Sequence, residues 1–229
     1  MRTIGIDVGG SKICAVRWNG AHVEKLAVVK TPQSVAALTK TLRRMVEKLE
    51  DGKHFKVGTG FAGTVKDGII ISSANNRFLK NYDVARALGR SAKVDNDART
   101  FARAEYAAGA AKGASRAIFF TFGTGVGRAY GIGGHIKNVK RFGPREKWEK
   151  RYQRVKGAAA LAPFLAEHLM PLINIYQPRI IVAGGGVSEK KGFISMFRAE
   201  LKKRGFKGVV ARAKLGTLAG AIGAAMIVR

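Results

Sequence analysis

Residues 3–12 read TIGIDVGGSK, an apolar run that ends in an aspartate and two glycines. The run predicts a buried strand, and the glycines predict a turn directly after it. Glycine lets backbone N–H groups approach a ligand closely, and a hydroxyl and a cation follow at once. The stretch therefore predicts a phosphate-binding turn formed by Gly9, Gly10, Ser11 and Lys12.

Two further glycine-rich turns also follow apolar strands, FGTGVG at residues 122–127 and VAGGGVS at residues 182–188. None of the three turns matches the P-loop or the dinucleotide pattern in its strand–helix setting. One such turn is weak support, but three in one chain predict a protein that binds phosphates or nucleotides. The candidate phosphate-binding residues in the second and third turns are Gly123, Thr124, Gly125, Gly184, Gly185 and Gly186.

An aspartate, Asp7, lies at the end of the first strand, beside the first turn. A carboxylate there would repel phosphate unless a divalent cation lay between the two. Mg2+ uses few protein carboxylates and keeps several waters, so the position predicts Mg2+ near Asp7, held through water. A turn-forming aspartate is the alternative interpretation.

A second acidic stretch, VDND at residues 94–97, precedes a predicted helix. Asp97 could be a helix N-cap, and that alone would account for an aspartate there. It could also be a general base that accepts a hydroxyl proton during phosphoryl transfer. The residue pattern alone leaves both interpretations open.

Strands and hairpins followed by helices occur twice along the chain, which favours a mixed α/β protein with two related lobes. We expect an N-terminal lobe at residues 1–97 and a C-terminal lobe at residues 98–229. The final helix, predicted at residues 216–227, is expected to pack back on the N-terminal lobe.

The longest helical pattern covers residues 144–176, with breaks predicted near Gly157 and Pro171. No apolar stretch is expected to be long enough to cross a bilayer. The N-terminus lacks a basic and apolar signal pattern. These features predict a cytoplasmic protein without a membrane partner.

The chain is strongly basic, with 42 Lys and Arg against 15 Asp and Glu and a formal net charge of +27. Such a charge attracts polyanions, including polyphosphate and, non-specifically, nucleic acid. A generally basic surface is the open alternative, because the charges are spread along the chain.

The single cysteine, Cys14, excludes an intramolecular disulfide and a cysteine-based zinc site.

The three turns, in this order, resemble the ROK family of sugar kinases within the actin-like ATPase superfamily. The resemblance covers nearly the whole chain and implies a ribonuclease H-like α/β fold with a ligand cleft between two lobes. It is closest to the short zinc-free branch that includes polyphosphate glucokinases. It implies that Asp97 is the catalytic base and that Asn96, Asn75 and Gly63 belong to the sugar site.

One departure concerns the acceptor site. The family's Glu-x-Gly-His element corresponds to KRFGP at residues 140–144 of this chain. A basic residue there, Arg141, would favour an anionic acceptor because arginine pairs well with carboxylate or phosphate. The same change is also expected of an acceptor site that has been lost. His135 lies nearby, but the pattern places it in the preceding hairpin.

The resemblance implies a phosphotransferase that uses Mg2+ and moves a phosphoryl group from ATP or polyphosphate to the hydroxyl of a sugar or sugar derivative. A homodimer is expected from the family alone. The alternative is a non-catalytic, basic protein that binds nucleic acid or another polyanion on a kinase-like fold.

Overall fold

The computed structural model describes residues 1–73, 75–139 and 147–228. The chain forms two compact units, each with its own apolar core. Unit 1 comprises residues 1–104 and 218–229, and unit 2 comprises residues 105–217. The sequence predicted a division after residue 97, whereas most of the helix that begins there belongs to unit 1.

Strands account for most of the framework of both units. In chain order they are β1 (Thr3–Val8), β2 (Lys12–Trp18), β3 (Val23–Lys30), β4 (Lys56–Phe61), β5 (Thr64–Lys66), β6 (Ile69–Ser72), β7 (Lys80–Asp83), β8 (Ala92–Asn96), β9 (Arg116–Phe122), β10 (Val126–Ile132), β11 (His135–Asn138), β12 (Ile180–Gly184) and β13 (Val209–Arg212).

Helices flank these strands. In chain order they are α1 (Val35–Glu50), α2 (Val84–Leu88), α3 (Asp97–Ala107), α4 (Lys147–Tyr152), α5 (Ala158–Tyr176), α6 (Phe193–Lys203) and α7 (Ala219–Met226), the last preceded by a 3-10 turn at Gly216–Leu218.

The two units repeat one sheet topology. Unit 1 has the strand order β3-β2-β1-β4-β8, and unit 2 has the order β11-β10-β9-β12-β13. In each sheet the first three strands are antiparallel and the last three run parallel to one another. The carboxyl ends of the three parallel strands therefore meet at one edge of each sheet, where ligands bind in open α/β sheets. Unit 1 also contains a small sheet of β5, β6 and β7.

Local sequence accounts for the first hairpin and the first helix. The Asn19 side chain accepts the N–H groups of Ala21 and His22 at 2.9 and 3.0 Å, which closes the turn between β2 and β3. The Ser34 hydroxyl accepts the N–H of Ala37 and caps α1, as serine does at helix starts. The core face of α1 repeats every three or four residues and consists of Leu38, Leu42, Met45, Val46 and Leu49.

Within unit 1, helix α7 packs closely on β1 and α3 because its residues are small. A Cβ at Gly223 would lie 1.7 Å from the backbone oxygen of Thr100 in α3. A Cβ at Gly5 in β1 would lie 1.9 Å from the backbone oxygen of Ala221. Glycine at both positions therefore lets the helix backbone lie directly against β1 and against the first turn of α3.

We expect Gly223→Ala to destabilise the protein by about 3 kcal/mol, because the added methyl group would push α7 away from α3. Gly186→Ala is the matched control, since a Cβ there meets no atom within 4 Å and the backbone needs no positive φ. Chemical denaturation of both variants measures the difference. Equal stability of the two variants would contradict this packing.

Helix α5 corrects two predictions from the sequence. It runs without a break through Pro163 and Pro171, whereas a break was predicted near Pro171. Burial of its apolar face in the core of unit 2 outweighs the hydrogen bonds lost at the prolines. By length and composition alone α5 could also cross a membrane, contrary to expectation. Core helices have the same character, and α5 packs along α6.

Candidate functional site

The candidate catalytic residue Asp97 and the candidate metal ligand Asp7 lie at the carboxyl ends of β8 and β1, the two strands that flank β4. Asp7 of β1 pairs in register with Gly60 of β4, and Gly60 pairs with Asp95 of β8. Asp97 follows β8 directly as the first residue of α3. Two aspartates that are 90 residues apart in sequence are thus brought to the same edge of one sheet.

The two aspartates share an environment that disfavours their charged forms. Burial, together with the negative charge of Asp97, raises the pKa of Asp7 to about 7, against a lowering by Lys12. Burial also raises the pKa of Asp97, against hydrogen bonds from its own N–H, the N–H of Ala98 and the Asn96 side chain. A raised pKa favours the uptake of a proton by the Asp97 carboxylate during a reaction at physiological pH.

Asn96 holds the start of α3 in place. Its side-chain oxygen accepts the N–H of Ala98 at 3.0 Å, and its side-chain nitrogen donates to the carbonyl of Gly63 at 3.0 Å. Asn96 therefore occupies the cap position, and Asp97 lies in the first helical turn. The amide also links Asp97 to the loop after β4, in which the sequence placed part of an acceptor site.

The first glycine turn is fixed by a residue that the sequence did not single out. The Thr31 hydroxyl donates to the carbonyl of Gly9 at 2.8 Å, and the Thr31 N–H donates to the carbonyl of Ser11 at 3.0 Å. The N–H of Gly9 donates to the carbonyl of Lys12 at 3.1 Å. Thr31 is buried just after β3, where only the fold brings it to the turn.

The segment that carries Asn75 lies against this turn. A Cβ at Gly10 would lie 2.9 Å from the Cβ of Asn75, whose side chain is exposed. The segment is anchored by Ser73, whose hydroxyl donates to the carbonyl of Ala62 at 2.5 Å and accepts the N–H of Asn76 at 3.0 Å. The structure thus places Asn75 beside the candidate phosphate turn.

The surroundings of Asp7 fit a small divalent cation with few protein ligands. A Cβ at Gly220 of α7 would lie 2.3 Å from a carboxylate oxygen of Asp7, so glycine leaves that carboxylate free of a clash. Within residues 1–73, 75–139 and 147–228, no group of three or more His, Cys, Asp or Glu could hold a metal ion. One desolvated carboxylate beside a second suits Mg2+, which retains waters and binds substrate phosphates.

The second and third glycine turns are neighbours in unit 2. They follow β9 and β12, which are adjacent parallel strands with Gly184 in register with Thr121. The N–H of Val187 donates to the carbonyl of Phe122 at 3.0 Å and ties one turn to the other. Gly185 has φ of 83° and lies against Phe122, where a side chain would clash.

The same two turns offer backbone that a ligand can reach. A Cβ at Gly123, Gly125 or Gly186 would meet no atom within 4 Å, and all three residues are exposed. Thr124 is exposed beside them, whereas Gly184 is buried in its strand. These exposed glycines form a surface on which backbone N–H groups could hold phosphate oxygens.

Two residues of unit 2 that the sequence did not single out hold the second turn. The buried Tyr152 hydroxyl donates to the carbonyl of Gly123 at 3.1 Å. The Gln153 side-chain nitrogen donates to the carbonyl of Thr124 at 3.1 Å. Their carbonyl partners lie in the backbone of the turn, so the end of α4 sets its conformation.

Helix α4 is itself anchored to β10. Arg128 of β10 forms an ion pair with Glu149, and its guanidinium lies 5.1 Å from the centre of the Trp148 ring.

The predicted acceptor residue Arg141 lies outside the described residues. His135 is the exposed first residue of β11, the strand after the glycine hairpin.

Comparison of the sequence with known proteins identifies the family to which this chain belongs. The sequence model of the ROK family matches residues 3–140 and 151–229. The N-acetylgalactosamine kinase AgaK of Shewanella sp. (strain ANA-3) is 34% identical to this chain over 140 residues, covering 58% of this chain and 46% of that protein. The chain spans about half the length of the curated relatives it matches.

Solved structures share the fold over the whole chain. A ROK family glucokinase from Streptomyces griseus, in complex with glucose and AMPPNP, has a TM-score of 0.85 at 22% identity and covers 99% of both chains. An inorganic polyphosphate/ATP-glucomannokinase from Arthrobacter sp. strain KM has a TM-score of 0.83 at 24% identity and covers 99% of this chain and 98% of that one. The predicted mixed α/β fold is thereby confirmed. Because the family model matches nearly the whole length, this chain belongs to the ROK family.

Proposed function

We propose that this protein is a phosphotransferase that moves a phosphoryl group from ATP or polyphosphate to a sugar hydroxyl. The observation that carries the proposal is the meeting of Asp7 and Asp97 at one sheet edge, beside a glycine turn, in a member of the ROK family. The related proteins named as kinases of amino sugars and glucose support the same reaction class.

In the proposed reaction Asp97 accepts the proton of the acceptor hydroxyl. The acceptor oxygen forms a bond to the terminal phosphorus, and the bond from that phosphorus to the donor's bridging oxygen breaks. The donor leaves as ADP or as a polyphosphate one unit shorter. The Asn96 amide keeps Asp97 at the start of α3, so the carboxylate needs little reorganisation.

We place Mg2+ at Asp7, where it would offset the charge of the donor phosphates. Gly9, Gly10, Ser11 and Lys12 would supply backbone and side-chain donors to phosphate from unit 1. In unit 2, the exposed backbone of the second and third turns is proposed to bind phosphate oxygens as well.

The acceptor is proposed to be a sugar or sugar derivative that contacts Asn75, Asn96 and the loop at Gly63. Asn75 is exposed beside the first phosphate turn, and Asn96 already donates to the carbonyl of Gly63. Arg141 would favour an acceptor with a negative charge. A cytoplasmic location and a homodimer stay predictions.

The test is phosphoryl transfer by the purified protein in the presence of Mg2+. ATP and polyphosphate are compared as donors over neutral, amino and acidic sugars. Transfer to a sugar from either donor is the expected result. Absence of transfer from both donors, by protein shown to be folded, would overturn the proposal.

A second candidate function is the binding of nucleic acid or another polyanion without catalysis, which the net charge of +27 favours. Binding of this kind loses affinity steeply with salt, because each phosphate contact releases counterions. Folded protein that binds RNA with such a salt dependence and transfers no phosphoryl group would establish this second function.

Tyr152→Phe tests whether the hydroxyl at Gly123 positions the second turn. We expect the KM for the phosphoryl donor to rise about fivefold, since one hydrogen bond of about 1 kcal/mol is removed. The acceptor KM should stay unchanged. Tyr130→Phe, which alters a buried tyrosine of β10, is the matched control. Equal donor KM values for the two variants would show that Tyr152 has no positioning role.

A further inference from the structure

A basic pocket lies in unit 1 at the amino ends of β4 and β8. Its volume is about 490 Å3, which falls within the range of small-molecule sites. Its polar lining residues are His54, Lys56, Arg90, Ser91 and Lys93, and among the residues that the structure describes the lining contains no aspartate or glutamate. The pocket is therefore electrostatically suited to an anion.

Two lysines of this pocket lie on the same face of the sheet. Lys93 is in register with Gly58, and Lys56 lies two residues before Gly58, so alternation along the strand puts both lysines on one side. Both are exposed. In the described part of the chain neither forms an ion pair with a carboxylate.

Arg90, in contrast, is held in the wall of the pocket by contacts within the protein. It forms an ion pair with Glu50 and also donates to the carbonyl of Phe55, and its side chain is only 14% exposed. Its guanidinium fixes the shape of the wall near His54. The charges of Lys56 and Lys93 are therefore the ones available to a ligand.

The pocket is separate from the proposed catalytic site. Strand β4 begins at Lys56, in the pocket lining, and ends at Phe61, beside Asn96 and the start of α3. Five residue steps along a strand correspond to about 17 Å. A small ligand in the pocket would therefore not reach Asp97.

We propose that this pocket binds a phosphorylated small molecule, with its phosphoryl group between the ammonium groups of Lys56 and Lys93. Lysine binds phosphate as a compact point charge. The volume leaves room for an attached group of about the size of a monosaccharide. This site is additional to the donor and acceptor sites of the proposed phosphotransferase.

The test is an amide NMR titration of the full chain with inorganic phosphate, tripolyphosphate or glucose 6-phosphate in separate arms. The double variant Lys56→Gln/Lys93→Gln is compared with Lys40→Gln/Lys48→Gln, which removes two charges from exposed lysines of α1. We expect ligand-induced shifts at residues 56 and 93 in the wild-type protein. The pocket variant should bind there at least tenfold more weakly, because two charge-assisted contacts are lost.

The control variant should keep the wild-type affinity at the pocket, and the pocket variant should keep the ligand-induced shifts at Asp97. The arm with the highest affinity identifies the attached group as none, a phosphate chain or a sugar. Shifts confined to the carboxyl ends of the strands in every arm would overturn the proposal. Equal pocket affinity of the two double variants would overturn it as well.

Discussion

Replacing Asp97 with asparagine is expected to lower kcat for phosphoryl transfer about a thousandfold, the range typical of losing a general base. The asparagine amide cannot take up the proton of the sugar hydroxyl, but it has about the same size as the carboxylate. The cap at the start of α3 is made by Asn96, so the helix should form normally. Single-turnover and steady-state assays with the preferred donor and sugar would measure the loss.

The pH profile of the wild-type protein offers a second readout of the same residue. Burial raises the pKa of Asp97, so the acidic limb of kcat/KM should lie above the ordinary range of an aspartate. In Asp97→Asn this limb should disappear from the residual activity. The matched control is Asp67→Asn, because Asp67 is exposed in a turn with φ of 48° that asparagine tolerates.

Asp67→Asn should keep the wild-type rate and the wild-type profile. An Asp97→Asn protein that retains more than a tenth of the wild-type kcat would exclude Asp97 as the base. A variant that lost activity together with its fold would show low thermal stability, so unfolding is measured in parallel.

The second large effect is expected from Asp7→Asn, which should abolish transfer and at the same time stabilise the protein above neutral pH. The folded chain holds the Asp7 proton up to a pKa of about 7, whereas the ordinary pKa of an aspartate is 3.8. Between these two values the unfolded chain binds fewer protons than the folded chain. Stability therefore falls as pH rises through this window.

The lost stability amounts to at most roughly 4 kcal/mol by pH 8, taking about 1.4 kcal/mol for each pKa unit. Asparagine resembles the protonated aspartate and stays neutral, so the variant avoids this loss. We expect its Tm at pH 8, without Mg2+, to exceed that of the wild type by roughly 10 °C. Below about pH 3, where Asp7 is largely protonated in both states, the two proteins should unfold at similar temperatures.

Scanning calorimetry at about pH 3 and at pH 8 checks both statements. Mg2+ is expected to stabilise the wild type at pH 8 and to have a smaller effect on Asp7→Asn, because binding to the folded state raises stability. Lower stability of Asp7→Asn at pH 8 would contradict the unfavourable ionisation of Asp7. Full activity of the variant would exclude Asp7 from the site.

Several features of this fold could be predicted from short stretches of sequence. Apolar runs and glycine turns located β1, β9 and β12, and helical periodicity located α1. The order of the three glycine turns pointed to the ROK family, which the family match confirms. These signals are local, so they can be recognised in the sequence without knowledge of the tertiary contacts.

Other elements depend on pairing between distant residues and were missed or misjudged. Strands β7 and β11 read KNYD and HIKN, without an apolar pattern, and form because β6 and β10 offer them partners. Pro171 stays helical because α5 is packed in the core of unit 2. In each case a tertiary gain outweighs local preference.

The roles of similar residues near the site were also decided by packing. Asp95 and Asp97 stand two residues apart, yet Asp95 is buried in ion pairs with Arg99 and Arg103. Asp97 instead follows the strand and shares its environment with Asp7. Composition could not separate a structural carboxylate from a candidate base, because both occur in one tetrapeptide.

The sequence by itself therefore determined the family, the mixed α/β class and the positions of the glycine turns. Only the tertiary structure brought Asp7 to the same edge as Asp97, Thr31 to the first turn and Tyr152 to the second. The physical reason is that turns are specified by residues that are adjacent in the chain. Proton affinity and turn rigidity arise instead from burial, charge and hydrogen bonds among residues that are far apart in it.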